Sequence, residues 1–371
     1  MNTNKTKVMY IVRGYPQISQ TYIKAELEAI YDDYDVTIVC TKPTNVAYKN
    51  HYPYRHLTEL KRIGELIEEV KPDVLHAHYL NQLELVGPLA LQAGIPFTIR
   101  SHSYDTLCLR QKNWRGRIRQ FMERNTPTFR KVAKIKENLH WVNHELCLGI
   151  LAFPFIRQYL EQEGIRSDKI IDCFPTINYD LFYDRSPNGS AIMNTGAAIP
   201  KKRMEDFVRL ASWMPDKEFN LYALGYHVDK IKEFNQKKGS PANILAPVEP
   251  EQMQIEYKQH RWLVYTAAFN LALVGWPMAI AEAQAAGVGV CMPNIRPDLK
   301  EYVGDAGFLY NSIEEVKDII SQPVPEHIRE AGFLQAKKSD IQQHKHLLTD
   351  LWDKASKDKS RSYSNSSVLY S

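Results

Sequence analysis

Three kinds of residue in this chain have the type and spacing to do chemistry. The first is a glycine-led helix start: Gly275-Trp276 precedes an apolar run carrying Glu282. The unpaired N–H groups and dipole of a helix N-terminus attract anions. A carboxylate there can accept hydrogen bonds from both hydroxyls of a vicinal diol, or simply face water. The second is a set of glycines and cations after short apolar runs. Gly14, Gly196 and Gly225 each follow such a run, and Lys202 and Arg203 follow Gly196 closely. Glycine lets backbone approach a ligand because it has no Cβ, although an ordinary strand-to-helix turn needs it equally. The third is a group of imidazoles and a carboxylate: His76, His78, His102 and Asp105. His76 and His78 alternate along a strand and so share a face. Such a pair suggests a metal, but no third ligand has suitable spacing, so structural or substrate-side roles are expected and no metal is assigned. Asp105 can contact a substrate or cap the next helix.

These residues need elements to position them, and the patterning supplies two series. Strands are expected at Val8–Val12, Val36–Cys40, Asp73–His76 and Phe97–Arg100. Helices are expected near Ser19–Tyr31, with Ser19 as N-cap, Leu57–Val70 and Asn81–Ala93. The pattern restarts with strands at Ala191–Asn194, Glu218–Leu224, Ile244–Leu245, Arg261–Thr266 and Gly289–Met292. Helices alternate with them near Arg203–Trp213, Glu249–Gln259 and Met278–Ala286. Alternation of this kind predicts an α/β protein with two Rossmann-like halves, each a parallel sheet covered by helices. The Pro-, Asn- and Gly-containing stretch Phe174–Ser190 reads as the linker. The expected domains are residues 1–180 and 181–337. A helix over about Lys338–Lys354 within 338–356 is expected to cross back to the first domain, and a Ser- and Lys-rich tail over 357–371 to lack structure. In open parallel sheets ligands bind beyond the carboxyl ends of the strands. That rule selects Gly14, His76–Tyr79, Ser101–Asp105, Gly196–Arg203, Gly225 and Phe269–Trp276, with the site expected in a cleft between the halves.

Composition excludes several classes. The chain has 371 residues, 44% hydrophobic and 24% charged, with a formal net charge of +4. That is the balance of a globular protein and is not the charge of a nucleic-acid binder. No apolar run reaches the roughly 18 residues of a transmembrane helix, and the polar N-terminus has no signal-peptide core. A cytoplasmic location is expected. The five cysteines Cys40, Cys108, Cys147, Cys173 and Cys291 are scattered and odd in number; they read as reduced thiols. Charge is concentrated instead in Arg110–Glu137, where ten basic residues face two acids and Trp114, Ile118, Phe121, Met122 and Phe129 are interleaved. A basic amphipathic surface over 110–136 favours an anionic membrane face, at about 1 kcal/mol per basic residue. The competing reading is a solvated helix face with its aromatics in the core.

Several of these motifs resemble one family. Gly275-Trp276-Pro277-Met278-Ala279-Ile280-Ala281-Glu282-Ala283, followed by Ala286-Gly287 and Gly289-Val290, resembles the donor signature of glycosyltransferase family four and its retaining GT-B relatives. Val303-Gly304-Asp305-Ala306-Gly307-Phe308 resembles the block that follows it. Pro72–Tyr79 and Gly94-Ile95-Pro96-Phe97 with Ser101–Asp105 resemble first-domain motifs of the family, and Tyr15–Ile23 resembles members that build bacterial exopolysaccharide or lipopolysaccharide. The resemblance implies a GT-B fold, two Rossmann-like domains with parallel sheets facing an interdomain cleft. It implies a retaining hexosyltransferase that needs no cofactor or metal and moves a sugar from a nucleotide-sugar donor to a glycan or lipid-linked acceptor in surface polysaccharide biosynthesis. It assigns His102, Lys202 and Glu282 to catalysis: His102 at the transferred sugar, Lys202 at the diphosphate, Glu282 at the ribose. Gly14, Gly196, Arg203, Gly225, Gly275 and Trp276 would line the donor, and His78 and Asp105 the acceptor side. No nucleic-acid partner is implied.

The chain departs from the family at three places. Val274 stands where the first glutamate of the signature falls, Ala197 stands for a phosphate-binding arginine, and Thr266-Ala267-Ala268-Phe269 replaces the usual Pro-Ser. A lost charge-assisted bond is worth about 1.5–3 kcal/mol. These losses motivate a second reading, a non-catalytic GT-B protein or complex subunit; a sugar-nucleotide epimerase, needing acids around the sugar, is a weaker third.

Overall fold

The computed structural model describes residues 5–44, 46–102, 104–109, 127–271 and 273–368, with side chains undescribed at 127–129 and 359–368. Two compact units emerge. The first comprises Met1–Gln17, Glu26–Phe174 and His344–Ser371; the second comprises Ile18–Ala25 and Pro175–Gln343. The junction thus falls at Phe174/Pro175 rather than at residue 180, and the segment Ile18–Ala25 clusters with the second unit.

The first unit is built on a seven-stranded parallel sheet of order β3-β2-β1-β4-β5-β6-β7. Its strands are β1 Lys7–Gly14, β2 Asp35–Lys42, β3 Arg55–His56, β4 Val74–His78, β5 Phe97–Arg100, β6 Cys147–Ala152 and β7 Ile170–Asp172. Strands covered on both faces read as continuous apolar runs rather than alternations. β1 shows this, with Val8–Val12 all buried. β4 and β5 do not conform: every residue is buried, yet His76, His78, Thr98 and Arg100 are polar. Buried polar groups need partners, and theirs form the first cluster described below.

The second unit holds a six-stranded parallel sheet of order β10-β9-β8-β11-β12-β13. Its strands are β8 Ala191–Ala197, β9 Phe219–Leu224, β10 Asn243–Leu245, β11 His260–Val264, β12 Gly289–Pro293 and β13 Phe308–Tyr310. Helix Met204–Ser212 shows why the layers hold. It buries Met204, Phe207, Val208, Leu210 and Ala211 on the sheet, and Phe207 meets Phe219 edge-on with ring centroids 5.3 Å apart. Burying one such side chain is worth about 1.5–3 kcal/mol.

Both sheets grow outward in two directions from their first strand. The order reverses between β1 and β4 in one sheet and between β8 and β11 in the other. These are the switch points at which open α/β sheets bind ligands. Strands β3, β6, β7 and β13 are absent from the predicted set; β3, β7 and β13 are only two or three residues long, too short to carry a periodic signal.

The C-terminal prediction is corrected in detail. The helix expected over Lys338–Lys354 is interrupted: Glu326–Lys337 ends before it, Ile341–His344 is one turn, and a further helix runs His346–Val368. Nothing from Ala355 to Val368 is Pro or Gly, so helical bonding continues where an unstructured tail is expected. This last helix belongs to the first unit. Trp352 is fully buried, its indole N–H donates to Thr98 Oγ1 at 3.0 Å, and Tyr34 donates to Asp353 at 2.8 Å. Among the described residues no helix is long and apolar enough to cross a membrane. Of the basic stretch 110–136, residues 110–126 lie outside the described ones.

Candidate functional site

In the first unit the buried polar residues of β4 and β5 converge on one carboxylate that sequence reading misses. Glu26 lies on the helix Thr21–Ile30 and is 1% exposed. Its Oε1 accepts from Tyr10 Oη and from His78 Nε2, each at 3.1 Å, and lies 3.1 Å from His76 Nε2. Its Oε2 pairs with the Arg100 guanidinium at 2.5 Å. Glu26 falls on the apolar stripe Ile23, Leu27, Ile30, where only a paired acid is tolerated, and that placement is the available signal. Burial works against its charge, but Arg100, His78 and His76 together hold its carboxyl well below the usual range. Burial lowers His76 to about 4, so it is neutral at physiological pH, and its Nδ1 bonds Thr98 Oγ1 at 2.8 Å.

Glu26, His76 and His78 bring three ligand-type atoms within 4.8 Å of one another, which answers the expectation that no third ligand exists. The third ligand comes from a helix 50 residues upstream of His76 (Glu26 to His76). The chemistry nonetheless favours a proton network over a metal. Arg100 places a permanent cation on the same carboxylate, which repels a second one, and the remaining nitrogen of His78 is committed to His102 at 2.9 Å. His78 itself is fully buried, so it reaches any substrate only through His102.

His102 sits at the carboxyl end of β5. Burial, with His78 and Arg100 nearby, holds its pKa well below the usual value, so the ring is neutral. Asp105 is the residue that fixes this loop. It is 1% exposed; its Oδ1 accepts from Ser101 Oγ at 2.9 Å and from the His102 amide at 3.1 Å, and its Oδ2 accepts from the Leu80 amide at 2.7 Å. Almost wholly buried and bonded three times, twice by backbone amides of the segments it joins, Asp105 is a positioning residue and not the expected acceptor-side contact. Gly14 ends β1, and a Cβ there would come within 2.9 Å of Gln17 Oε1, the movable end of a side chain.

In the second unit the run from β8 through Gly196 to Lys202 forms the other candidate site. Gly196 adopts φ +130, a conformation open essentially to glycine, and a Cβ there would sit 2.4 Å from Lys202 Nζ. The missing side chain is therefore the space the lysine occupies. Gly225, with φ +116, follows β9 against Ala198, whose carbonyl oxygen would lie 3.2 Å from an added Cβ. From across the switch point, Thr266 Oγ1 donates to the Lys202 carbonyl at 2.7 Å and accepts from Asn194 Nδ2 at 3.1 Å. Thr266, one of the departures from the family pattern, is thus what holds the loop.

The Lys202 ammonium lies 5.2 Å above the Tyr265 ring and, among the described residues, meets no carboxylate. Desolvation alone lowers it to about 8. A desolvated cation without a counter-ion is costly, and an anionic ligand removes that cost. Arg203 does not share this role. It is exposed and bidentate to Asp206 at 3.0 and 2.9 Å, which corrects the expectation that it lines the donor.

Glu282 lies in the second turn of the helix Met278–Ala285, which begins at Met278 and not at Gly275-Trp276. It is 8% exposed and accepts from Tyr257 Oη at 2.9 Å and Thr21 Oγ1 at 3.5 Å. Burial raises it to about 7. Trp276 is corrected: its indole is buried, donates to Asp298 at 2.8 Å and stacks on Tyr302 at 4.9 Å, so its side chain supports the loop and does not face a ligand. Gly275 remains in that loop. Val274 is buried, and its carbonyl accepts from the buried Arg296.

Comparison with known proteins agrees with this architecture. Residues 31–134 match the family described as glycosyl transferase 4-like domain. Anabaena HepE in complex with UDP-glucose is 13% identical, with 96% of this chain and 99% of that one aligned at a TM-score of 0.62. Sucrose-phosphate synthase from Thermosynechococcus elongatus is 13% identical over 98% and 100% of the chains, TM-score 0.63. The lipopolysaccharide outer core galactosyltransferase WaaB, in its apo form, is 12% identical over 90% and 98%, TM-score 0.57. No curated protein sequence matches. The chain has the GT-B fold of these glycosyltransferases, and its residues 31–134 match a glycosyl transferase 4-like domain. Its two Rossmann-like units carry that fold end to end.

Proposed function

We propose that the chain moves a sugar from a nucleoside-diphosphate sugar to a glycan or lipid-linked acceptor, with retention at the anomeric carbon, in the assembly of a surface polysaccharide. The observation that carries the donor half is Lys202: a desolvated ammonium at the switch point of the second sheet, with no carboxylate beside it among the described residues and glycine opposite it. In this reading Lys202 neutralises the diphosphate as the glycosidic bond to it breaks. Glu282 accepts from the ribose hydroxyls, and the Gly196, Gly225 and Gly275 backbones give the donor close approach. His102, neutral and held by His78, accepts one hydrogen bond at its Nδ1 from a hydroxyl of the transferred sugar. No metal or cofactor is assigned a part. One structural neighbour, HepE, is described in complex with UDP and glucose, which makes UDP-sugars the first donors to try.

The test is a screen of nucleotide sugars with product stereochemistry read by NMR. Turnover with retention supports the reading; turnover with inversion removes the retaining assignment. Absence of both transfer and hydrolysis, together with binding of UDP, would favour the second reading, a non-catalytic GT-B protein. Val274 and Ala197 favour that alternative, because each replaces a charged donor contact of the family with an apolar side chain.

A further inference from the structure

The first unit contains a basic cavity that the donor chemistry leaves unused. It measures about 730 Å³ and is lined by Arg13, Thr41, Lys42, Leu80, Asn81 and Lys131, among others. Arg13 belongs to the end of β1, Thr41 and Lys42 to the end of β2, and Leu80 and Asn81 follow β4. The cavity therefore opens at the switch point of the first sheet, where a parallel sheet presents its ligand site. Helix Leu83–Ala93 begins at its wall, so the positive end of a helix dipole adds to the side-chain charge.

The charges in it are uneven in their commitments. Lys134 is paired with Glu84 at 2.7 Å. Lys131 stands 5.3 Å over the Tyr104 ring. Arg13 and Lys42 have no side-chain partner among the described residues. Arg13, Lys42 and Lys131, three cations with no acid partner among the described residues, line a concavity whose one acid, Glu84, is taken by Lys134, and such a set fits a group that is dianionic, compact and rich in acceptor oxygens. A phosphate has that chemistry, and arginine and lysine bind it by charge-assisted bonds. A neutral sugar would leave the three cations unmatched.

We propose that this cavity binds the acceptor through a phosphate group, so that the acceptor is a phosphorylated sugar or a phospholipid-type headgroup. Its role as acceptor site rests on the glycosyltransferase reading above; the binding itself does not, and a binding measurement without turnover separates the two failures.

The experiment uses the full chain carrying Lys202→Gln, so that the lysine of the second unit does not compete for the probe. Calorimetry with glucose 6-phosphate, with glucose as the neutral control, tests a free phosphate ester. Co-sedimentation with vesicles of phosphatidylglycerol and phosphatidylcholine, against phosphatidylcholine alone, tests a headgroup. Binding in the first arm assigns a soluble phosphorylated acceptor; binding in the second alone assigns a lipid one. In whichever arm binds, Arg13→Gln and Lys42→Gln should each weaken it roughly tenfold, as expected for one lost charge-assisted bond. Glu84→Gln should tighten it by removing the one acid among the lining residues, a gain that misfolding does not mimic. The proposal is overturned if neither probe binds, if glucose binds as well as its phosphate, or if the Arg13 and Lys42 variants bind unchanged.

Discussion

His78 Nδ1 lies 2.9 Å from His102 Nε2, with the two rings stacked at a centroid distance of 5.1 Å. The far nitrogen of His78 faces the Glu26 carboxylate at 3.1 Å. A carboxylate only accepts, so His78 carries its proton on Nε2 and its Nδ1 accepts. His102 must then hold its proton on Nε2, which leaves its Nδ1 as an acceptor. Two buried residues, Glu26 and His78, thus decide which hydrogen bond His102 can offer. His78→Phe removes the acceptor and frees the tautomer. We expect a fall in kcat with little change in UDP affinity; equal loss of both would assign His78 a general structural role.

Glu26→Gln keeps the shape of the side chain and removes its charge. It leaves Arg100 buried with no counter-charge, and breaking a buried pair in this way costs about 3–5 kcal/mol. Urea denaturation followed by tryptophan fluorescence should show that loss, since Trp352 packs 5.5 Å from His76 in the same cluster. A loss near zero would mean that Arg100 finds water.

Lys202→Gln separates binding from stability. UDP affinity should fall at least about tenfold, the value of one charge-assisted bond. The melting temperature of the free protein should hold or rise, because a desolvated ammonium without a carboxylate is removed. Unchanged UDP affinity would sink the donor assignment.

Gly196→Ala should abolish that site by a different route. The added methyl would enter the position of the lysine ammonium, and φ +130 is strained for any L-residue by about 1–3 kcal/mol. Calorimetry with UDP should show lost binding and a lowered melting temperature together, in contrast to Lys202→Gln.

UDP affinity should follow a bell-shaped pH profile. Glu282, raised to about 7, must ionise to accept from a diol, so affinity rises as pH passes 7. Lys202, lowered to about 8, must stay protonated to hold a diphosphate, so affinity falls above 8. The stability of the free protein moves otherwise. The folded state binds the extra proton at Glu282, so stability falls as pH rises from its unfolded value of 4.5 to 7. It binds fewer protons at Lys202, so stability rises between 8 and 10.5. Glu282→Gln should erase the acidic limb of the binding profile and leave the basic one; an intact acidic limb would remove Glu282 from the donor site.

What the sequence determined by itself is local. Continuous apolar runs such as Val8–Val12 are strands because nothing else buries both their faces. Gly196 and Gly225 mark strand ends because their φ values are closed to other residues. Lys202 and Glu282 are legible from their spacing within glycine-led motifs. The tertiary structure decided the partners. Glu26 meets His76 and His78, and Thr266 meets Lys202, only because a parallel sheet brings chain ends from distant segments to one edge. It also decided which polar residues are already spent: Asp105 on the His102 loop, Arg203 on Asp206, Trp276 on Asp298. A residue type states what bonds a side chain can make. Whether those bonds are still available is a property of its neighbours in space, and spacing along the chain does not carry it.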